Sequence, residues 1–266
     1  MKLSIVTINY NNLGGLQQTF ASIVSQTFTD FEWIVIDGGS TDGSREFIEQ
    51  HQSHFAYWCS EPDGGIYRAL NKGVGFAHGE YVSFMNAGDC YFEADTLQKV
   101  FSAPHKGDIL YGDTLFVKEN SEEVKRYTDT ITFNWLRHFT INHQSSFTRR
   151  VIFDQLQFDP KYRILADRKF WMQSMLAGFS FEHVPHVVAR YDYCGYSTTN
   201  IEKWEAERQA ICNELLPTCL NQSLDNAFIY EMHQDLQRAY SILGHHGPCR
   251  KLLHWCIDIL CRFRSK

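Results

Sequence analysis

The 266-residue chain has no long apolar run. Nothing in it approaches the ~18 apolar residues of a transmembrane helix, so no membrane span is expected. The apolar stretch in MKLSIVTINYNN is six residues long, too short for the core of an export signal. An excess of basic charge is also missing. The net charge of −6 argues against nucleic acid as a partner. Of the eight cysteines, none forms a C-x-x-C pair, and without an export signal reduced thiols in a cytoplasm are expected. His245 and His246 near Cys249 lack the tight ligand spacing of a zinc site and read as a surface turn. G-x-x-x-x-G-K-[ST] is absent, and NYNNLGGL after the first strand does not supply G-x-G-x-x-G, which excludes a glycine-rich phosphate cradle. DGGSTDG misses the D-x-[DN]-x-[DN]-G spacing of a calcium loop. There is no internal repeat and no low-complexity tract.

What is present suits a large core. Hydrophobic residues make up 44% and aromatic residues 15%, enough for one large domain or a domain with an appendage. Residues 3–8, 31–37, 55–59, 81–85 and 108–113 read as short buried strands. Helical patterns lie between them, at 16–24, 45–51, 66–77 and 94–101. That alternation predicts an α/β fold with a mostly parallel sheet flanked by helices. Further on, 115–118 and 124–128 read as a hairpin, 132–138 as a short helix and SSFTRRVIFDQL as a strand leading into a helix. Residues 167–177 read as a helix, FSFEHVPHVVARYDY as two strands broken at Pro185, and the chain from Glu202 as helical.

In such sheets ligands bind beyond the carboxyl ends of the strands. Those ends carry Asn9 and Tyr10, then Asp37, then Glu61 and Asp63, then Asn86 and Asp89. Polar, mostly acidic groups recur at four successive strand ends. A carboxylate can grip a ribose or a base edge, and another can hold a divalent cation on a diphosphate.

Six segments, TINYNN, IVIDGGSTDGS, EPDGGIYRALNKG, GEYVSFMNAGD, NHQSSF and ILADRKFW, occur in the order found in family 2 glycosyltransferases. Over residues 3–200 the chain resembles these inverting, nucleotide-sugar-dependent enzymes with a GT-A-type fold. The subgroup it most resembles makes bacterial colanic-acid-type and other exopolysaccharides. The resemblance implies domain bounds of 1–200 for the GT-A-type domain and 201–266 for a helical extension. It implies that Thr7, Asn9, Tyr10, Asp37, Asp63, Asn71, Lys72 and Asn86 serve the nucleotide. Asp89, in the segment matching the family's DxD, would hold Mg²⁺ or Mn²⁺. Asp167 would be the catalytic base, and His143 with Gln144 would face the donor sugar or the acceptor. The implied partners are a nucleotide-diphosphate sugar and a saccharide acceptor on a lipid carrier.

The chain departs from the family pattern in four places. NAGD carries one acid. Arg68 stands where relatives often have Asp. Cys194-Gly195-Tyr196-Ser197 replaces the usual Gly-Gly-x-Ser. The Q-x-x-R-W motif of processive members is missing, which implies one sugar added per encounter. Plainer roles stand beside these. Asp37, Asp89 and Asp167 could each cap a turn or helix. Lys72 and Arg68 could lie on a solvated helix face, and Trp135, Phe170 and Trp171 are expected in the core. Residues 249–266 pair apolar helical spacing with flanking Arg and Lys. That pattern suits a peripheral contact at the inner face of a plasma membrane, and equally a helix packed on the core or against a second subunit. Two other functions stay open: a sugar nucleotidyltransferase, and a nucleotide-sugar binding subunit without turnover.

Overall fold

A computed structural model describes residues 1–192 and 200–217, with Leu220, Leu224 and Asp225. The C-terminal segment 249–266 and the 194–197 segment lie outside the described residues. The chain divides into two compact units, residues 1–209 and 210–266. No described helix is long and apolar enough to cross a membrane.

The first unit alternates strand and helix. In order come β1 (Leu3–Asn9), α1 (Leu13–Val24), β2 (Phe31–Asp37), α2 (Ser44–Gln50), β3 (Tyr57–Ser60), α3 (Ile66–Val74) and β4 (Tyr81–Phe84). They are followed by β5 (Cys90–Tyr91), α4 (Thr96–Val100), β6 (Ile109–Lys118), β7 (Ser121–Lys125), α5 (Phe133–His138), β8 (Ser146–Arg149), α6 (Ala166–Leu176) and β9 (Phe181–Asp192). A last helix, α7 (Ile201–Leu215), begins within the first unit. Within that unit the Glu207 carboxylate of α7 accepts the backbone N–H groups of Arg163, Ile164 and Leu165 at 2.9–3.0 Å.

The strands form one sheet in the order β3-β2-β1-β4-β8-β6-β9-β5, with β7 paired to β6. The stretch β3-β2-β1-β4 is parallel, as buried β-branched strands with helical crossovers require. From β8 onward the pairing is mixed: β8 is antiparallel to both β4 and β6, and β9 runs parallel to β6. Every residue of β1 is buried, because helices cover both faces. On one face Leu16 and Ile23 of α1 pack with Leu3, Ile5, Trp33 and Val35. On the other, Gly73 of α3 lies against Val6 and Ile36.

Two segments differ from expectation. Ile109–Lys118 form one long strand with its hairpin partner at Ser121–Lys125. Phe181–Asp192 is likewise one strand, not two. Pro185 does not break it because it falls in a bulge. Gly112 pairs with Val184 and the next residue, Asp113, pairs with Val187, so Pro185 owes the ladder no N–H.

A methyl group at Gly73 would sit 2.3 Å from Val6 Cγ1, and Val6 is itself fully buried. Gly73→Val is therefore expected to lower stability by at least about 1 kcal/mol through overpacking, read as a fall in Tm. An unchanged Tm would show that α3 does not rest on β1 this closely.

Candidate active site

The carboxyl ends of β1, β2 and β3 are locked by one side chain. Asp37, the last residue of β2, is fully buried. Its Oδ1 accepts from Asn9 Nδ2 at 2.8 Å and Ser40 Oγ at 2.6 Å. Its Oδ2 accepts from Ser40 N at 2.9 Å, Gly39 N at 3.2 Å and Ser60 Oγ at 2.6 Å. Burial on its own would raise the carboxyl pKa. The hydrogen bonds from Ser40, Ser60 and Asn9 outweigh it and hold the group below the usual carboxylate range. Asp37 thus spends its acceptors on the protein and ties three strand ends together.

Around that clamp, the sequence-predicted nucleotide residues separate. Thr7 is fully buried, and its Oγ1 accepts from Trp33 Nε1 at 2.9 Å. Its side chain belongs to the core beneath the strand ends. Asn71 holds the backbone of Phe158, donating to its carbonyl at 2.7 Å and accepting its N–H at 3.0 Å. Lys72 is paired with Glu61, which fastens α3 to the loop after β3. Arg68 is exposed. Tyr10 and Asp63 both approach Gly38: a Cβ there would lie 2.9 Å from Asp63 Oδ2 and 3.1 Å from the Tyr10 ring. An exposed ring and a carboxylate therefore flank a bare backbone at the end of β2.

The other predicted residues converge. After β4 the chain makes the turn Asn86–Asp89, in which Gly88 takes φ +104°, a left-handed value suited to glycine. Thr19 of α1 fixes that turn. Its Oγ1 accepts the Gly88 N–H at 3.0 Å and lies 2.7 Å from the Asp89 carbonyl. Asp89 is buried, and its Oδ2 accepts from Gln144 Nε2 at 2.8 Å. The neighbouring His143 has Nε2 3.0 Å from Asn86 Nδ2 and Nδ1 3.4 Å from Asp167 Oδ2. An amide donor at Nε2 puts the imidazole proton on Nδ1, pointing at Asp167. Asp167 lies in the first turn of α6, and its Oδ1 accepts the Arg168 N–H at 2.7 Å. The Tyr67 hydroxyl, held protonated by burial, donates to the Ile164 carbonyl at 2.9 Å and lies 3.4 Å from Asp167 Oδ1.

Asn86, Asp89, His143, Gln144 and Asp167 all line one cleft of about 680 Å³. Thr7, Asn9, Tyr10, Asp37, Asp63, Asn71 and Lys72 are not among its walls. Tyr67, Lys125, Arg168, Tyr191 and Trp204 do line it and were missed. Tyr67 was visible within EPDGGIYRALNKG. Arg168 was likewise visible, within ILADRKFW, while Lys125, Tyr191 and Trp204 come from strands and a helix of the second half that carry no motif around them. Phe170 and Trp171 are fully buried, as expected, while Trp135 is half-buried.

Among the described residues no group of three or more His, Cys, Asp or Glu is arranged to hold a metal ion. Apart from Asp167, the cleft offers a cation the Asp89 carboxylate and, from the same turn, Asn86, whose Oδ1 is a buried oxygen without a hydrogen-bond partner. That set suits an ion whose other ligands are water and a ligand's phosphates.

Asp37→Asn is expected to cost about 1–3 kcal/mol near neutral pH. The native carboxyl pKa is depressed, so its contribution is complete above the unfolded value of ~3.9 and is lost as pH falls through the folded value. The gap in stability between wild type and Asp37→Asn should narrow below about pH 4. A gap independent of pH would show that the Asp37 charge does not hold the strand ends.

Known proteins supply the family. The profile described as Glycosyl transferase family 2 matches residues 4–161. An uncharacterized glycosyltransferase of Mycobacterium tuberculosis is 32% identical over 209 residues, covering 75% of this chain and 76% of that protein. Among solved structures, S. aureus TarS superposes with a TM-score of 0.67 at 18% identity, over 86% of this chain and 43% of TarS. The mannosyltransferase PcManGT from Pyrobaculum calidifontis, in complex with GDP-Man and Mn²⁺, gives a TM-score of 0.62 at 17% identity over 99% of this chain and 82% of that one. Both share the fold, a helix-flanked α/β sheet of GT-A type. From the sheet, the cleft at its strand ends and the family match over more than half its length, the chain belongs to glycosyl transferase family 2.

Proposed function

We propose that this glycosyltransferase inverts configuration at the sugar it moves, from a nucleotide-diphosphate sugar to a hydroxyl of a saccharide acceptor. One observation carries the reading: two carboxylates of different elements, Asp89 and Asp167, line one cleft and are held by adjacent residues, Gln144 and His143. TarS has been crystallised with UDP-GlcNAc and PcManGT with GDP-Man and Mn²⁺, which supports a nucleotide-sugar donor and a divalent cation for this chain as well.

In this reading the diphosphate lies against the Asn86–Asp89 turn, and the nucleoside extends toward Gly38, Tyr10 and Asp63. Asp167 is the general base. It takes the proton from the acceptor hydroxyl as that oxygen bonds to the anomeric carbon, and the bond to the diphosphate oxygen breaks with its electron pair leaving on the diphosphate. Attack from the face opposite the leaving group inverts the centre. His143 Nδ1–H and the Arg168 N–H engage one oxygen each, so the carboxylate is oriented while keeping a lone pair for the incoming proton. Asp89 and Asn86 would hold Mg²⁺ or Mn²⁺ together with the diphosphate, and the ion would supply charge neutralisation on the leaving group. A lipid-linked acceptor would bring the protein to a membrane surface, which the basic, amphipathic sequence of residues 249–266 supports. The single acid of NAGD favours a second reading, a binding subunit without turnover.

Asp167→Asn is expected to lower turnover about 10²–10⁴-fold while leaving nucleotide affinity within about twofold. NMR of the product should show the anomeric configuration opposite to the donor's. Undiminished turnover in Asp167→Asn would remove it as the base, and retained configuration would remove the single-displacement route. Nucleotide-sugar binding without transfer to any acceptor would favour the subunit.

A further inference from the structure

The cleft is also lined by Phe116, Lys125, Phe139, Tyr191 and Trp204, for which the transfer chemistry above has no use. Lys125 ends β7, opposite Thr114 of β6, so its side chain shares a sheet face with Phe116. Its ammonium lies 5.5 Å from the Phe116 ring centre and 5.1 Å from that of Tyr127. Phe116 pairs across the sheet with Tyr191, their rings 5.7 Å apart.

The acids at this end serve other groups: Asp167 accepts the Arg168 N–H and faces His143, and Glu205 pairs with Arg208 and also feels the Arg168 charge. Among the described residues Lys125 makes one hydrogen bond, a long one of 3.4 Å to the Thr140 carbonyl. Among the described residues no carboxylate pairs with it. The acids of its own strand are engaged elsewhere: Glu123 with Lys118 and Glu122 with Arg190, each at 2.7 Å. The charge that does reach Lys125 is a like one, from Arg168, whose guanidinium stacks 4.6 Å from the Trp204 ring and donates to the His138 carbonyl. Burial first, then Arg168, pushes the Lys125 amine down to about 8. A half-buried ammonium beside a second cation and without a counter-charge is unfavourable by itself. An anion entering the cleft reverses that balance with a charge-assisted hydrogen bond. The aromatic walls meanwhile offer flat apolar faces to the rest of a ligand. If Lys125 served only to cover the rings with its stem, its ammonium would be free to turn out to water. Instead it lines the cleft.

We propose that the Lys125 end of the cleft is an anion subsite for the acceptor, receiving a carboxylate or phosphate borne by the saccharide that is glycosylated. The proposal rests on the transferase reading, in that the cleft beyond Asp167 is taken as the acceptor side.

Calorimetric titration of the full chain with glucuronate, glucose and inorganic phosphate tests it, on wild type, Lys125→Met and Lys125→Arg, with Tm confirming that each variant folds. Wild type should bind glucuronate at least about tenfold more tightly than glucose. Lys125→Met should reduce that preference to within about twofold, and Lys125→Arg should keep most of it. If phosphate binding depends on Lys125 while glucuronate shows no preference, the subsite stands and its anion is a phosphate. If binding of neither anion depends on Lys125, the proposal is overturned. Titration of UDP and GDP into wild type is read separately. Failure of both to bind would count against the transferase reading, while the Lys125 comparison would still stand or fall by its own result.

Discussion

A single short turn carries the arrangement of the cleft. His143–Ser145 is one 3₁₀ turn ahead of β8, and β8 lies beside β4 in the sheet. From that position Gln144 reaches Asp89 and His143 reaches both Asn86 and Asp167. Two acids 78 positions apart in sequence are thereby fixed relative to one another by neighbouring side chains. Removing the turn would leave Asp89 on the β4 side and Asp167 on α6 without a shared reference. The inverting transfer proposed above places the leaving diphosphate and the attacking hydroxyl on opposite faces of one carbon, an arrangement that a common support for both acids would serve.

The same economy holds at the strand ends. Asp37 takes five hydrogen bonds from Asn9, Gly39, Ser40 and Ser60 and closes the ends of β1, β2 and β3. What this leaves for a ligand there is the Gly38 backbone between Tyr10 and Asp63. The polar groups around these strand ends largely serve the protein itself. Asp37 and Asn71 hold backbone in place, Lys72 pairs with Glu61, and Asp63 accepts the Gly65 N–H at 2.7 Å. The Tyr10 ring is exposed. Glu207 plays the supporting part on the far side, taking the three backbone N–H groups that precede α6 and so setting where Asp167 stands.

Much of this was readable in the chain. The alternation of buried strands with helical stretches over the first 110 or so residues gave the parallel half of the sheet, and its strand-end rule pointed to Asn86 and Asp89. The pairing of His143 with Asp167 could not be read from spacing, because it depends on β8 inserting antiparallel between β4 and β6. Nor could the roles of Thr7 and Asn71. A threonine at a strand end reads the same whether its hydroxyl meets a ligand or a tryptophan indole. An asparagine on a helix does not announce that it clamps a backbone 87 residues away. Pro185 misled for a related reason: proline ends a strand unless the register slips around it, and the register is a property of both strands. Lys125 carried no signal, since neither its place beside Phe116 nor its lack of a carboxylate partner among the described residues can be read from spacing.

The central claim is that a nucleotide diphosphate binds at the Asn86–Asp89 turn with a divalent cation held by Asp89. Thermal unfolding against UDP, GDP and the other nucleoside diphosphates, with and without Mn²⁺, tests this most directly. A ligand at ~100 times its Kd adds about 2.7 kcal/mol, a shift of several degrees in a protein of this size. The account predicts a Mn²⁺-dependent rise in Tm with one nucleotide class, absent in Asp89→Ala. An equal rise in Asp89→Ala, or no rise with any nucleotide in wild type, would contradict it.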